Sequence, residues 1–291
     1  MAVAARSDLA RECGCERDGE GVRVSRTEAS GYEILRVQIK SEAASARIGK
    51  PCGRYVTVSL GGALIGEGGR EDFCRVLGVE LREMAERLSG KRVTAHFSLL
   101  AVGLGNAELT PDALGPKTVQ RLTVTRGMGS ENATFPLSPR PCRISAIAPG
   151  VSAQTGLEMA EIVRGLVETT APDLVLVIDS LAARDKGHLA ATVQLSDTGI
   201  QPGSGIGGKR KALTADTVGV PVLAVGVPTV VGTATLVRDA LLRFGLGQET
   251  PELEELVGGS ESFFVTPKDI DLLLPLLAST LAKSIEKAFT V

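Results

Sequence analysis

The sequence of 291 residues has no tryptophan, only two histidines and an aromatic content of 3%. Surfaces that stack nucleic-acid bases need aromatic side chains, so this composition argues against a protein that binds single strands. The 32 lysine and arginine residues nearly balance the 34 acidic residues, and the net charge of −2 lacks the basic excess that favours duplex binding. We therefore expect no direct nucleic-acid partner.

Cysteine and long apolar runs are also scarce. The five cysteines are an odd number without a C-x-x-C pair, which argues against a disulfide framework or a structural zinc site and favours a reducing compartment. Charged residues interrupt the first twelve positions, and the apolar stretch at 272–281 is too short to span a bilayer. We expect a soluble cytoplasmic protein with no membrane partner.

Histidine-based nucleophilic catalysis finds little support. Serine and cysteine hydrolases need a base, usually histidine, but His96 lies in an apolar run and His188 in a charged loop, and no G-x-S-x-G occurs.

Residues 203–208 match G-x-G-x-x-G without directly following a strand-like run, and a basic cluster follows them. We interpret this region as a substrate loop rather than a dinucleotide site, and we expect no cofactor. The residues of this predicted loop are Asp197, Gly203, Ser204, Gly205, Lys209 and Arg210.

The sequence does contain alternating strand-like and helix-like segments. Apolar or alternating runs predict strands at 33–39, 54–60, 93–102, 143–148, 174–178, 191–196 and 220–225. Helical spacing predicts helices at 71–88, 117–125, 155–170 (capped by Thr155), 233–244 and 268–288. This order is typical of an α/β fold with a mostly parallel sheet covered by helices on both faces. Residues 1–30 are polar and predict a loose arm ahead of a single domain at 31–291.

Three aspartates follow predicted strands. Asp112 lies in a turn rich in glycine and proline, Asp179 directly follows an apolar run, and Asp197 directly follows the predicted strand at 191–196. The carboxyl ends of parallel strands meet at one edge of a sheet, where ligands bind, so all three are expected there. Two carboxyl groups that lie close together do not both ionise easily, which supplies an acid and a base from one residue type.

Each aspartate also has other interpretations. Asp112 and Asp179 are each placed to cap a short helix, and Asp197, in Asp-Thr-Gly, is placed to form a turn. Another hypothesis is a metal-dependent peptidase that uses the three carboxylates as ligands of a hard metal ion. From these residues alone, the alternatives stay open.

Several segments between residues 100 and 232 together resemble the germination protease family of spore-forming bacteria, which are atypical aspartic endopeptidases. The segments that carry the resemblance include Gly103-Leu-Gly-Asn106, Thr110-Pro-Asp-Ala-Leu-Gly-Pro116, Ile178-Asp-Ser-Leu-Ala-Ala-Arg184, Ser196-Asp-Thr-Gly-Ile200 and Gly226-Val-Pro-Thr-Val-Val231. The resemblance implies a three-layer α/β/α fold with a mostly parallel or mixed sheet, similar to hydrogenase-maturation peptidases. It also implies that Asp112 and Asp179 are the catalytic pair, and we expect no metal at the site.

The same resemblance implies that the protein degrades small acid-soluble spore proteins during germination, in the forespore or spore core. It implies a homotetramer made as a self-processing zymogen, whose arm is cut at a site similar to that of the substrate. Residues 6–12 resemble such a site, with the cleaved bond between Asp8 and Leu9. The chain departs from the usual residues of the family at Gly127, Ser180, Gly208 and Gly232.

Overall fold

The computed structural model describes residues 7–13, 18–64, 66–128, 141–203, 210–244 and 263–291. The strands are β1 (Val22–Ala29), β2 (Tyr32–Ile39), β3 (Gly53–Ser59), β4 (Ser98–Leu104), β5 (Arg143–Gly150), β6 (Leu174–Ala183), β7 (Thr192–Ser196), β8 (Val222–Gly232) and β9 (Phe264–Val265). The helices are α1 (Glu42–Ile48), α2 (Glu67–Ser89), α3 (Leu114–Val119), α4 (Ser152–Thr155), α5 (Met159–Thr170), α6 (Ala215–Val218), α7 (Thr233–Arg243) and α8 (Ile270–Ala288). Single 3-10 turns include Ala10–Glu12, Thr110–Asp112 and Lys186–His188.

These strands form one mixed sheet in the order β1-β2-β3-β7-β8-β6-β4-β5, and β9 pairs with the end of β8. The half that contains β8, β6, β4 and β5 is parallel, whereas β1, β2, β3 and β7 join through antiparallel pairs. Uninterrupted aliphatic runs are typical of parallel strands because helices cover both of their faces. The prediction of an α/β fold with a mixed sheet is confirmed.

Alternate side chains of the central strands contribute to two separate cores. Leu176 and Ile178 of β6 belong to a core that includes residues of α2, α3 and α8. Val175 and Val177 of the same strand belong to a second core, with residues of α5 and α6. The alternation follows from the two-residue period of a strand. Helices therefore enclose the sheet on both faces and fix the positions of groups at its carboxyl edge.

Two predicted boundaries near the site are wrong. β6 continues past residue 178 to Ala183 because it keeps pairing with β8, so Asp179 lies inside a strand. α5 begins at Met159, and Thr155 does not cap it, because Gly156 has a left-handed φ of +71° that ends α4. The sequence has a helical pattern on both sides of this break, so the pattern does not reveal where α4 ends and α5 begins.

Three further differences lie outside the site. β4 begins at Ser98 rather than at residue 93, and α3 ends at Val119 rather than at residue 125. Val22–Ala29 forms β1 and pairs with β2 along its length, so this part of the predicted loose arm is ordered. Most side chains of β1 are exposed, as expected of an edge strand, which explains its polar sequence. None of the described helices is long and apolar enough to cross a bilayer.

Candidate active site

A tight turn holds Asp112 at the carboxyl end of β4. The chain leaves β4 through Gly105, whose φ is +112°, and a Cβ there would lie 1.9 Å from the Asp112 carbonyl oxygen, so this approach requires glycine. The Asn106 amide donates to Asp112 Oδ2 at 2.7 Å, and the Thr229 hydroxyl donates to the Pro111 carbonyl at 2.7 Å. No side chain caps α3, so the capping interpretation of Asp112 is wrong.

Asp179 lies inside β6 and is only 6% exposed. The Ser180 amide donates to Asp179 Oδ1 at 2.9 Å. On β8 the paired residue is Gly226, where a Cβ would lie 2.8 Å from the Asp179 carbonyl oxygen, so glycine lets the two strands approach. Because the strand continues to Ala183, no helix begins after Asp179 and its capping interpretation is also wrong.

The Asp112 and Asp179 side chains line one cavity of about 360 Å³. The cavity lies at the carboxyl edge of the parallel strands, between the 3-10 turn Thr110–Asp112, the end of β6 and β9. Its other lining residues include Asp8, Ser180, Ala182, Gly203 and Thr229. This is the edge at which parallel sheets bind ligands. The structure thus brings together the two aspartates that the sequence singled out.

The two carboxyl groups differ in proton affinity. Burial raises the pKa of Asp179 well above its ordinary value, and the negative charges of Asp112 and Asp8 raise it further. Burial also raises the pKa of Asp112, but the hydrogen bond from Asn106 and the positive charge of Arg210 oppose that shift. Asp179 is therefore the group that retains a proton, and Asp112 is the group that ionises first.

Asp197 does not share this edge. β7 runs antiparallel to β8, so its carboxyl end lies toward the amino-terminal ends of β6 and β8. There the Arg54 amide donates to Asp197 Oδ1 at 2.7 Å. The prediction that all three aspartates lie together is wrong for Asp197, because it assumed that β7 is parallel. Its contact with β3 agrees with the interpretation of Asp197 as a turn residue.

The predicted substrate loop is only partly described. Gly203 lines the cavity, and the charge of Arg210 lowers the pKa of both carboxyl groups there. Ser204, Gly205 and Lys209 lie outside the described residues, as does most of the G-x-G-x-x-G segment. Within the part of the chain that the structure describes, no three or more His, Cys, Asp or Glu side chains are grouped to hold a metal ion.

Residues 7–13, here called the docked arm, lie beside this cavity, and Asp8 lines it. The Asp8 amide donates to the Ala182 carbonyl at 2.9 Å, and the Ala182 amide donates to Asp8 Oδ2 at 2.8 Å. Leu9 is fully buried, in a cluster that includes Leu181 and Val231. The docked arm therefore binds the end of β6 through Asp8, with an apolar pocket for Leu9, and then turns into the 3-10 turn Ala10–Glu12.

Gln194 of β7 holds the docked arm on both sides of the Asp8–Leu9 peptide bond. Its Nε2 donates to the Asp8 carbonyl at 2.8 Å, and its Oε1 accepts from the Ala10 amide at 2.7 Å. The Asp8 carbonyl belongs to the bond that the sequence predicts to be cleaved. Gln194 belongs to none of the motifs that the sequence offers. An amide side chain in the middle of a fully buried strand was the available signal, because such a group needs polar partners.

Comparisons with known proteins agree on one family. Residues 2–258 match the family model described as germination protease. The germination protease of Caldanaerobacter subterraneus subsp. tengcongensis is 37% identical, over 97% of this chain and 93% of its own length. That of Clostridium acetobutylicum is 36% identical, over 97% of this chain and 94% of its own length. That of Geobacillus sp. (strain WCH70) is 42% identical, over 76% of this chain and 59% of its own length.

A solved structure of a [NiFe] hydrogenase maturation protease, HycI from Thermococcus kodakarensis KOD1, is also similar. It aligns with 72% of this chain and 98% of its own, at 15% identity and a TM-score of 0.37.

Proposed function

Because the chain belongs to the germination protease family, we propose that it is an endopeptidase in which Asp112 and Asp179 together activate water against a peptide bond. The observation that carries the proposal is their shared cavity, in which the buried Asp179 and the half-buried Asp112 have different proton affinities and the docked arm contributes Asp8. A pair of this kind supplies a base and an acid from the same residue type.

In the proposed reaction, the Asp112 carboxylate takes a proton from the water, and the water oxygen attacks the carbonyl carbon. Protonated Asp179 gives its proton to the carbonyl oxygen, which forms a tetrahedral intermediate with two hydroxyl groups. When the C–N bond breaks, the amide nitrogen takes the proton held by Asp112. One intermediate hydroxyl then returns its proton to Asp179, so both side chains recover their starting states.

The docked arm is the first proposed substrate, which makes the chain a self-processing zymogen. Asp8 lines the cavity with Asp112 and Asp179, and Gln194 holds the Asp8 carbonyl. A fixed peptide beside the reacting groups gains from proximity, because binding has already oriented it. The proposed cleavage site is therefore the Asp8–Leu9 bond.

The proposed substrates in trans are small acid-soluble spore proteins, degraded in the spore core during germination by a homotetramer of this chain. Membership of the germination protease family supports these assignments. The docked arm adds a physical requirement, since the Asp8 amide and the Asp8 side chain both bind the backbone of Ala182. A substrate must therefore present an acidic residue followed by an extended backbone at the cleaved bond, as Leu9 does ahead of the 3-10 turn Ala10–Glu12.

Incubation of the purified chain with a small acid-soluble spore protein tests this function. We expect endoproteolytic fragments, a new chain terminus at Leu9, and unchanged rates when a metal chelator is added. Intact spore protein after long incubation, with the arm already removed, would contradict the proposal. Loss of cleavage in chelator, restored by added metal, would instead support the metal-dependent peptidase.

A further inference from the structure

The docked arm places Glu12 in a pocket that the proposed reaction does not use. The Glu12 side chain is 4% exposed. The Arg184 amide donates to its Oε2 at 2.6 Å, the Asp185 amide donates to its Oε1 at 2.9 Å, and His188 Nδ1 lies 2.5 Å from the same Oε1. The Ser7 hydroxyl also donates to Oε2. All of these partners except Ser7 belong to the body of the protein rather than to the arm.

The body of the protein fixes this pocket independently of Glu12. Asp185 caps the 3-10 turn Lys186–His188, because its Oδ1 accepts from the Gly187 amide at 2.8 Å. The Arg184 guanidinium binds Asp239 at 3.0 Å, and Arg184 contacts Glu12 through its backbone amide. Successive backbone amides directed at one point form an anion-binding concavity. The turn and the strand end therefore hold a preformed carboxylate site.

The occupant of the pocket is an anion. Burial by itself would raise the pKa of Glu12, but hydrogen bonds from His188, Ser7 and the two amides outweigh it, and the pKa lies below its ordinary value. Hydrogen bonds to an ionised carboxylate are stronger than those between neutral groups. A neutral side chain of similar shape would leave several of these donors poorly satisfied.

We propose that the pocket formed by the Arg184 and Asp185 amides and His188 is a substrate subsite, which recognises a carboxylate four residues downstream of the acidic residue at the cleaved bond (Asp8 to Glu12). This inference rests on the proposed function, because it treats the docked arm as a bound substrate. It makes His188 a specificity-determining residue, and its ligand is an acidic side chain at the end of a single 3-10 turn of the substrate, as Glu12 is in the docked arm.

The pocket also has a consequence after self-cleavage. Breaking the Asp8–Leu9 bond leaves the segment from Leu9 to Glu12 attached to the enzyme. Leu9 and Glu12 are both deeply buried in the docked arm, so the attached segment competes with an incoming substrate for the same positions. Weakening the hold on Glu12 should therefore slow self-cleavage and speed cleavage in trans.

Peptide kinetics test the subsite directly. Two peptides carry the sequence of residues 6–12 with short extensions, one with Glu and one with Gln at the last position. We expect the processed wild-type chain to cleave the Glu peptide with a kcat/KM at least about tenfold higher, from the charged hydrogen bonds. His188→Ala should reduce this preference severalfold. His96→Ala, the matched control at an exposed histidine, should leave it unchanged. An identical preference in wild type and His188→Ala would overturn the proposal.

A binding measurement separates the subsite from catalysis. The full chain with both Asp112→Asn and Glu12→Gln cannot cleave by the proposed reaction and holds its own arm less tightly. Fluorescence anisotropy of the two labelled peptides should show the same preference for Glu. A Glu preference in binding without cleavage by any form would keep the subsite and overturn the catalytic proposal. Cleavage without a preference for the Glu peptide would keep the catalytic proposal and overturn the subsite.

The single substitution Glu12→Gln supplies a second test. The proposal predicts that it slows self-cleavage and speeds cleavage of a separate substrate. Self-cleavage should slow by about tenfold, since the arm loses its charged contact. Once processed, the variant should cleave the Glu peptide faster than the wild-type chain does. A fall in both rates would contradict the idea that the attached segment competes with substrate, and it would show that Glu12 only supports the structure.

Discussion

Two buried carboxyl side chains lie along β6, and their pKa values are shifted in opposite directions. Asp179, inside the strand, has the Ser180 amide as its hydrogen-bond donor, and two negative neighbours raise its pKa. Glu12, beyond the strand end, has donors on several sides, and its pKa is lowered. Burial is common to both, so the supply of donors decides which group keeps a proton. The same strand can thus support an acid for chemistry and an anion for recognition.

Replacing these two carboxyl groups should separate chemistry from recognition most clearly. We expect Asp179→Asn to slow self-cleavage by about a thousandfold or more, because an amide cannot give up the required proton. Glu12→Gln removes only binding interactions and should cost far less. Asp197→Asn is the matched control, because Asp197 contacts β3 outside the cleft. The measurement is the rate at which the terminus at Leu9 appears by mass spectrometry. Equal rates for Asp179→Asn and Asp197→Asn would contradict the role of Asp179 as the catalytic acid.

The pH dependence of cleavage should reflect the two aspartates of the cavity. The rate should rise with pH as Asp112 ionises and fall at higher pH as Asp179 loses its proton, with both limbs above the ordinary aspartate range. In self-cleavage, Asp8→Asn should move the descending limb to lower pH, because it removes a charge that favours protonated Asp179. Rate profiles of both chains provide the test. An unmoved descending limb would show that Asp8 does not act on Asp179.

Gln194 contributes to recognition without charge, so its loss should have a smaller effect than loss of either catalytic group. Gln194→Ala removes two neutral hydrogen bonds to the docked arm, and we expect self-cleavage to slow by about three- to thirtyfold. Gln38→Ala on β2 is a matched control in another strand. An unchanged rate in Gln194→Ala would show that this residue does not position the Asp8–Leu9 bond.

The smallest predicted effects are on stability, and they have opposite signs. The folded pKa of Asp179 is raised, so its contribution to stability falls as pH rises through that pKa, and Asp179→Asn should raise Tm at neutral pH. The folded pKa of Glu12 is lowered, so its contribution is present above the ordinary pKa, and Glu12→Gln should lower Tm. A change of about 1 kcal/mol would move Tm by roughly 2–4 °C. Thermal melts at neutral and acidic pH check this, since both differences should shrink in acid. Shifts of the same sign would contradict the account.

The parallel half of the sheet was the predictable half of the fold. Residues 174–178 and 220–225 are aliphatic on both faces, which identified β6 and β8 although not their full lengths. The antiparallel half was harder, because the direction of β7 depends on its partners and not on its own five residues. Misjudging that direction placed Asp197 at the wrong edge.

The site shows the same limit. The Gly105 turn before Asp112 and the apolar run before Asp179 are local features that made both residues candidates, and the family resemblance then paired them. The contacts made by Gln194 and His188 join residues that are far apart in sequence, so local patterns do not reveal their partners. Long-range partners of the docked arm could be found only from the fold.

The central claim is that Asp179 keeps a proton that Asp112 has released. A chain labelled with ¹³C at the aspartate carboxyl carbons, in which the Asp179 signal is assigned by its absence from Asp179→Asn, allows each group to be titrated. We predict that Asp179 keeps its proton to a higher pH than Asp112 does. An Asp179 signal that titrates near pH 4, as that of an exposed aspartate does, would contradict the account.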